Sequence, residues 1–286
     1  MSQIISIISK FTEILTQNDV PNPKNEVELL ISYFTNTPKN EIYLKPYGII
    51  DRQILSLIEK AVEERRTRKP LQYIIGNVPF LDTTIKVNGD VLIPRPETEF
   101  MVDRVIKELG ISNYEFIVLD LCTGSGAIAI AIKKKFPKAT VYASDICEKA
   151  LQVAKSNAEI NNVEINFVKS DLFENINKKE GEQYRIQFDI IISNPPYIPH
   201  EIYTTLQPEI YFEPKIAFVS DNNGLYFYEK IISQAKNFMK PNGTLYLEIG
   251  ENQAKCILSL AKKHEYINID LYKDLCEKDR IVRLKI

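Results

Sequence analysis

Apolar positions in the N-terminal stretch recur at helical spacing. Ile4, Ile7, Ile8, Phe11, Ile14 and Leu15 form one stripe, and Pro21 and Pro23 break it. Val27, Leu30, Ile31 and Phe34 form a second, ended by Pro38. Ile54, Leu55, Ile58, Ala61 and Val62 form a third, with Asp51 placed to cap its start. That helix closes in the charge run Glu63 to Lys69, just before Pro70. The run reads as a solvated helix end, the alternative being contact with an acidic partner. These stripes predict a small helical bundle over residues 1–72.

The period changes over 73–94. Thr83 to Val87 and Val91 to Ile93 flank Asn88-Gly89, a short-range hairpin signal. This stretch is expected to be a β-hairpin linker. Over 95–286, strands alternate with helices. Strands are predicted at 116–120, 140–144, 165–168, 188–193, 244–249, 266–272 and 280–285. Helices are predicted at 97–109, 127–135, 147–161, 225–238 and 252–263, with a turn at Pro241-Asn242-Gly243. Such alternation predicts an α/β fold with a mostly parallel, doubly wound sheet. The last two strands are close enough in sequence to pair antiparallel at one edge.

Composition narrows the function classes. Of 286 residues, 44% are apolar and 26% charged, as in an ordinary globular protein. Lys and Arg (36) nearly balance Asp and Glu (38), so the basic excess of a nucleic-acid-coating protein is missing. No apolar run reaches the ~18 residues of a membrane span. The start, Met1 to Phe11, lacks the basic region and cleavage site of a secretory signal. Cys122, Cys147, Cys256 and Cys276 are widely spaced, and His200 and His264 are the only histidines. A disulfide framework and a metal site are therefore not expected, and the cytoplasm is the expected location.

In an open parallel sheet, ligands bind beyond the carboxyl ends of the strands. Four strand ends carry candidate chemistry. Cys122-Thr123-Gly124-Ser125-Gly126 is a glycine loop feeding a helix, which lets backbone approach a ligand. With Ala127-Ile128-Ala129 it also fits a loose dinucleotide pattern, and a plain tight turn is the bland alternative. Asp145 can accept from both hydroxyls of a ribose, or merely cap the next helix. Asp171 can accept from an adenine amino group while Leu172 packs on the ring, or mark a surface turn.

The fourth strand end discriminates. Asn194-Pro195-Pro196-Tyr197 follows a buried strand that has no ordinary need of two prolines. Proline stiffens the backbone and leaves carbonyls to accept. The Asn194 side-chain oxygen and the Pro195 carbonyl can each take one N–H of a substrate NH₂, and Tyr197 can stack on a planar group. That grip suits methyl transfer from S-adenosylmethionine (SAM) to nitrogen. The sulfonium is already electrophilic, so orientation is the main task. Carbonyl acceptors favour the positive charge that develops on nitrogen.

On these residues the chain resembles the release-factor glutamine methyltransferases. Further stretches carry the likeness: Pro70 to Gly76, Leu92 to Glu99, Ser170-Asp171, Pro208-Glu209, Glu213-Pro214, Gly224-Leu225, Leu247 to Gly250 and Asp279-Arg280. Asn-Pro-Pro-Tyr is shared with adenine amino-group DNA methylases, and the Arg-Pro-Glu-Thr-Glu run from Arg95 to Glu99 narrows the choice. The resemblance implies a Rossmann-like class I SAM-dependent methyltransferase domain, with a seven-stranded sheet, preceded by a small helical domain. It implies SAM as cofactor, bound by Cys122, Thr123, Gly124, Ser125, Gly126, Asp145, Asp171, Leu172 and Asn194. It implies that Asn194, Pro195, Pro196 and Tyr197 hold the amide of the glutamine in a Gly-Gly-Gln motif of class 1 peptide chain release factors. The helical domain would bind the release factor, with a monomer expected and no direct nucleic-acid or membrane contact.

Two positions depart from the family pattern. Glu277 and Cys122 stand where glycine is common, which questions a local turn rather than the site. Arg95 to Glu99 would lie near the mouth of the site, or form a helix cap and salt-bridge cluster. The alternatives in function are methylation of a ribosomal-protein glutamine, an adenine amino-group DNA methylase, an NAD oxidoreductase and a silent binding module. The NAD reading leaves Asn194 to Tyr197 unexplained, and intact motifs at all four strand ends argue against a silent module.

Overall fold

The computed structural model describes residues 3–44, 50–110, 115–176 and 186–286. Two compact units divide the chain: 1–77 with 207–212, and 78–206 with 213–286.

The first unit is helical. Helices Gln3–Thr16, Pro23–Thr35 and Arg52–Arg66 follow the three apolar stripes. Phe11, Leu15, Leu30, Ile31, Ile58 and Val62 are all buried in one cluster. Asp51 caps the third helix, accepting from Gln53 N at 2.7 Å. The charge run is only partly a solvated helix end. Arg65 is 2% exposed. It pairs with Glu26 and donates to Glu209 at 2.9 Å, while Arg68 grips both oxygens of Glu209 at 2.7 Å. The acidic partner lies within this unit, because the distant segment 207–212 returns to it.

The second unit begins with a two-stranded sheet, β1 (Asn77–Phe80) and β2 (Thr83–Lys86). The hairpin turn is therefore at Leu81-Asp82, not at Asn88-Gly89 as the sequence suggested, and residues 91–93 form no strand. Leu81 takes the left-handed backbone, φ +48°, that the turn needs. The free edge of β2 is met by side chains. Asn157 exchanges hydrogen bonds with Lys86 N and O at 2.8 and 3.0 Å. Asn161, one helical turn on, does the same with Thr84. Helical i,i+4 spacing thus matches the i,i+2 spacing of a strand.

Seven strands form the main sheet: β3 (Ile117–Leu121), β4 (Thr140–Asp145), β5 (Asn166–Lys169), β6 (Phe188–Ser193), β7 (Met239–Glu248), β8 (Asn268–Lys273) and β9 (Asp279–Lys285). Their order is β5-β4-β3-β6-β7-β9-β8. β9 runs antiparallel between β7 and β8, so the last strand inserts inside the edge. Helices follow the strands at Ala127–Lys135, Glu148–Ile160, Tyr226–Ala235 and Ala254–Lys263. The Pro241-Asn242-Gly243 turn is a bulge within β7, whose register against β6 jumps there. Asn242 has φ +66°, and a Cβ on Gly243 would come 2.9 Å from Lys240 O. Among the described residues no helix is long and apolar enough to cross a membrane, and no cluster suited to a metal ion occurs.

Candidate active site

Strand register builds the site. Leu121 of β3 pairs with Ser144 of β4 and Ser193 of β6, and Ser193 pairs with Leu247 of β7. The next residue on each strand is Asp145, Cys122, Asn194 and Glu248. These four therefore stand in one row along the carboxyl rim. The strand order reverses between β3 and β6, the switch point where ligands collect in such sheets.

A cavity opens above this row. Cys122, Thr123, Gly124, Ser125, Asp145, Asp171, Leu172, Asn194 and Pro196 line it. Gly126, Pro195 and Tyr197 do not line it. Gly126 sits behind the loop, where a Cβ would lie 3.0 Å from that of Ala154. Pro195 is buried. The Tyr197 hydroxyl turns to Glu248 at 3.5 Å, and its backbone carbonyl accepts from Gln253 Nε2 at 3.0 Å. Close packing to Gln253 and Gly250, not stacking in the cavity, sets its position.

Backbone strain gathers at the cavity wall. Cys122 (φ +64°) and Leu172 (φ +45°) both take the left-handed conformation that non-glycine residues avoid. Gly124 does so at no cost (φ +54°), and a Cβ there would meet no atom. Two carboxylates brace the loop. Asp120 accepts from Thr123 Oγ1 at 2.5 Å and Ala129 N at 3.1 Å. Asp145 accepts from Gly124 N and Cys147 N, each at 2.9 Å. Its helix-capping and loop-bracing roles coexist. Burial raises its pKa and those backbone donors oppose the rise. Burial, then the Asp145 charge, pushes the Cys122 thiol up, so it is no nucleophile.

The site fits an adenosine-bearing ligand. Asp145 offers a fixed carboxylate, Gly124 offers clearance, and Ile146 lies 48% exposed among the lining residues. The Ser144 hydroxyl beside them is buried without a partner. Such an orphan is expected where a ligand group completes the site.

Comparison with known proteins then decides the family. A release factor glutamine methyltransferase of Fusobacterium nucleatum is 35% identical over 98% of this chain and 78% of its own length. One of Flavobacterium psychrophilum is 36% identical over 90% of this chain and 89% of its own. The chain belongs to the release factor glutamine methyltransferases. The family models "Methyltransferase small domain" and "PrmC N-terminal domain" match residues 98–208 and 6–76. A methyltransferase of Pyrococcus furiosus shares the fold, with TM-score 0.52 and 19% identity over 82% of this chain and 97% of that one. By its family, this chain is an enzyme that methylates a protein glutamine, with a class I SAM-dependent methyltransferase fold.

Family membership leaves several neighbours of the site to the structure. Arg95 does not cap its helix through its side chain. It pairs with Glu213, which also accepts from Ile93 N at 2.9 Å. Glu99 accepts from Leu81 N at 2.7 Å. The Arg95–Glu99 run thus joins one ion pair, Arg95–Glu213, to a place at the cavity, where Thr98 is a lining residue. Ile146, Ile216, Tyr226 and Phe227 join the cavity lining without having been foreseen. Ile216 and Tyr226 are 56% and 39% exposed. Apolar side chains left open at a cavity were the available signal.

Proposed function

We propose that this enzyme methylates the side-chain amide nitrogen of the glutamine in the Gly-Gly-Gln motif of class 1 peptide chain release factors. One observation supports this reading most: Asn194 opens into the same cavity as the Cys122–Ser125 loop and Asp145. Donor and amide would thereby meet in one cavity, across the adjacent ends of β4, β3 and β6. S-adenosylmethionine supplies a methyl group on a sulfonium that leaves as a neutral thioether. Asp145 would accept from the ribose hydroxyls, Asp171 from the adenine amino group, and Leu172 would cover the ring. Asn194 Oδ1 would accept an N–H bond of the amide, while Pro195, outside the cavity lining, stiffens the turn that carries Asn194. Held so, the nitrogen lone pair forms the new N–C bond as the C–S bond breaks. The methylated amide then loses its extra proton to solvent, so no general base is required.

The test mixes the protein, methyl-labelled SAM and release factor purified without its methylation, then maps the label by peptide mass spectrometry. Label on the Gly-Gly-Gln glutamine is expected. No label on the release factor, with SAM binding confirmed separately, would overturn the substrate assignment.

A further inference from the structure

Behind Asn194, side chains from three separate elements join in series. Asn194 Nδ2 donates to Thr98 Oγ1 at 3.0 Å. Thr98 Oγ1 donates to Glu248 Oε2 at 2.6 Å. Thr98 lies in the first turn of helix Pro96–Leu109 and Glu248 ends β7. Thr98 and Glu248 are 5% and 1% exposed, so water does not stand in for either.

The directions of these bonds are linked by donor count. An ionised carboxylate only accepts. Thr98 therefore gives its one hydrogen to Glu248 and keeps lone pairs for Asn194. Asn194 must turn its NH₂ to those lone pairs. Its Oδ1 then faces away from Thr98. A free asparagine amide turns over at little cost, and either end then faces the ligand. Here one buried carboxylate sets a hydroxyl, and the hydroxyl sets the amide.

We infer that Thr98 and Glu248 are positioning residues that fix Asn194 with its carbonyl oxygen toward the cavity, so that the site takes a substrate NH₂ and refuses an acceptor such as a carboxylate. The inference rests on reading Asn194 as the grip on the glutamine amide. A site built to receive N–H donors leaves its acceptor unpaired, and repelled, when a glutamate takes the place of glutamine.

The ionisation of Glu248 supplies a readout. Burial lifts its pKa to about 7, against the hydrogen bond from Thr98 and the charge of Arg280, with Glu97 adding to the rise and Tyr197 opposing it. The Tyr228 hydroxyl bonds the Glu248 carbonyl at 2.9 Å and does not face the carboxylate. A protonated Glu248 donates to Thr98, frees the Thr98 hydrogen for Asn194 Oδ1, and turns the Asn194 NH₂ to the cavity. Methyl transfer then rises with pH through about 7 as the relay takes its working polarity.

The experiment uses the full chain, labelled SAM and unmethylated release factor, with kcat and KM measured across the neutral range. Thr98→Val is expected to lower kcat by about 10- to 100-fold, the scale of a misplaced reacting group. SAM affinity, read by calorimetry, should move far less. Thr98→Ser keeps the hydroxyl and should restore most of the rate. Glu248→Gln should lower kcat and flatten the rise through neutral pH. Wild-type turnover in Thr98→Val, failure of Thr98→Ser to rescue, or an intact pH limb in Glu248→Gln would each overturn the relay. Should Thr98→Val not fold, Thr98→Ser and Glu248→Gln decide it. If the wild-type chain labels no glutamine, the reading of Asn194 falls and the relay with it; a labelling wild type with an unimpaired Thr98→Val sinks the relay alone.

Discussion

Asp145 accepts the backbone N–H of Gly124 at 2.9 Å, tying the end of β4 to the loop after β3. The same carboxylate takes Cys147 N through its other oxygen. Both oxygens are thus aimed before any ligand arrives, and each keeps a lone pair for it. Asp145→Ala removes a charged acceptor and a brace together. SAM affinity should fall about 10- to 100-fold, the worth of hydrogen bonds to a charged group. Calorimetry measures it, and unchanged affinity would confine Asp145 to holding the loop and the helix start.

Asn194 should act on the other half of the reaction. Asn194→Ala leaves the Asp145 and Gly124 contacts intact, so SAM affinity should weaken only modestly. Loss of the amide grip should lower kcat by two orders of magnitude or more, in line with the roughly 7–11 kcal/mol that orientation can supply. Steady-state methyl transfer with saturating SAM checks this, and near-normal kcat would refute the grip.

How far the sequence reached can be read from single residues. Apolar runs located the central strands β3 and β6 because a buried parallel strand is apolar on both faces. The residue after each run then marked the rim, so Cys122 and Asn194 were legible, as was Asp145 at the end of β4. Thr98 and Glu248 were not: they are 150 residues apart, and only the sheet register and the helix bring them together. The place of β9 was likewise hidden. An antiparallel final pair fits the edge in either order, and pairing of β9 with β7 is a tertiary choice. Asn88-Gly89 looked like the hairpin turn, but Asn88 Oδ1 instead accepts from Asp90 N, a local turn that pairs no strands.

Cys122 and Glu277, which the resemblance places at glycine positions, both take a backbone conformation that favours glycine. Cys122 has φ +64° and Glu277 has φ +61°. A side chain in that region costs roughly 1–2 kcal/mol. Glu277 is exposed and its ion pair with Lys273, at 3.7 Å, is worth little. Glu277→Gly should therefore stabilise the protein by up to about 1 kcal/mol, offset in part by the freer unfolded chain. Urea unfolding measures it, and a loss of stability would show that the side chain outweighs the strain.

Arg65 carries the opposite risk. Its side chain is 3% exposed and stands between Glu26 and Glu209. Burial pulls the Arg65 pKa down, but its hydrogen bonds to Glu26 and Glu209 and their charges hold it above its ordinary value. Arg65→Ala strands Glu26 in a poorly hydrated site and leaves Glu209 to Arg68 alone. Removing one member of such a pair costs about 3–5 kcal/mol. Thermal unfolding should show a large drop, and a double variant with Glu26→Gln should recover part of it. A loss under 1 kcal/mol would place these charges in water.

Asp120 makes stability depend on pH in an uncommon sense. Burial raises its pKa from the ordinary 3.8 to about 7, opposed by Thr123 and Ala129 and aided by the Asp145 charge. Its Oδ1 is buried without a partner. Between about pH 4 and pH 7 the folded chain keeps a proton that the unfolded chain has released. The unfolded state then binds fewer protons, so this group's contribution is full below 3.8 and is lost as pH rises through about 7. Asp120→Asn cannot ionise and escapes that loss. Its Tm relative to wild type should climb by a few degrees as pH rises across the window. Taking the difference cancels other titrating groups, including Glu248, which has the same sign. A difference in Tm that stays flat with pH would show that Asp120 is already ionised in the folded protein, held by Thr123 and Ala129 alone.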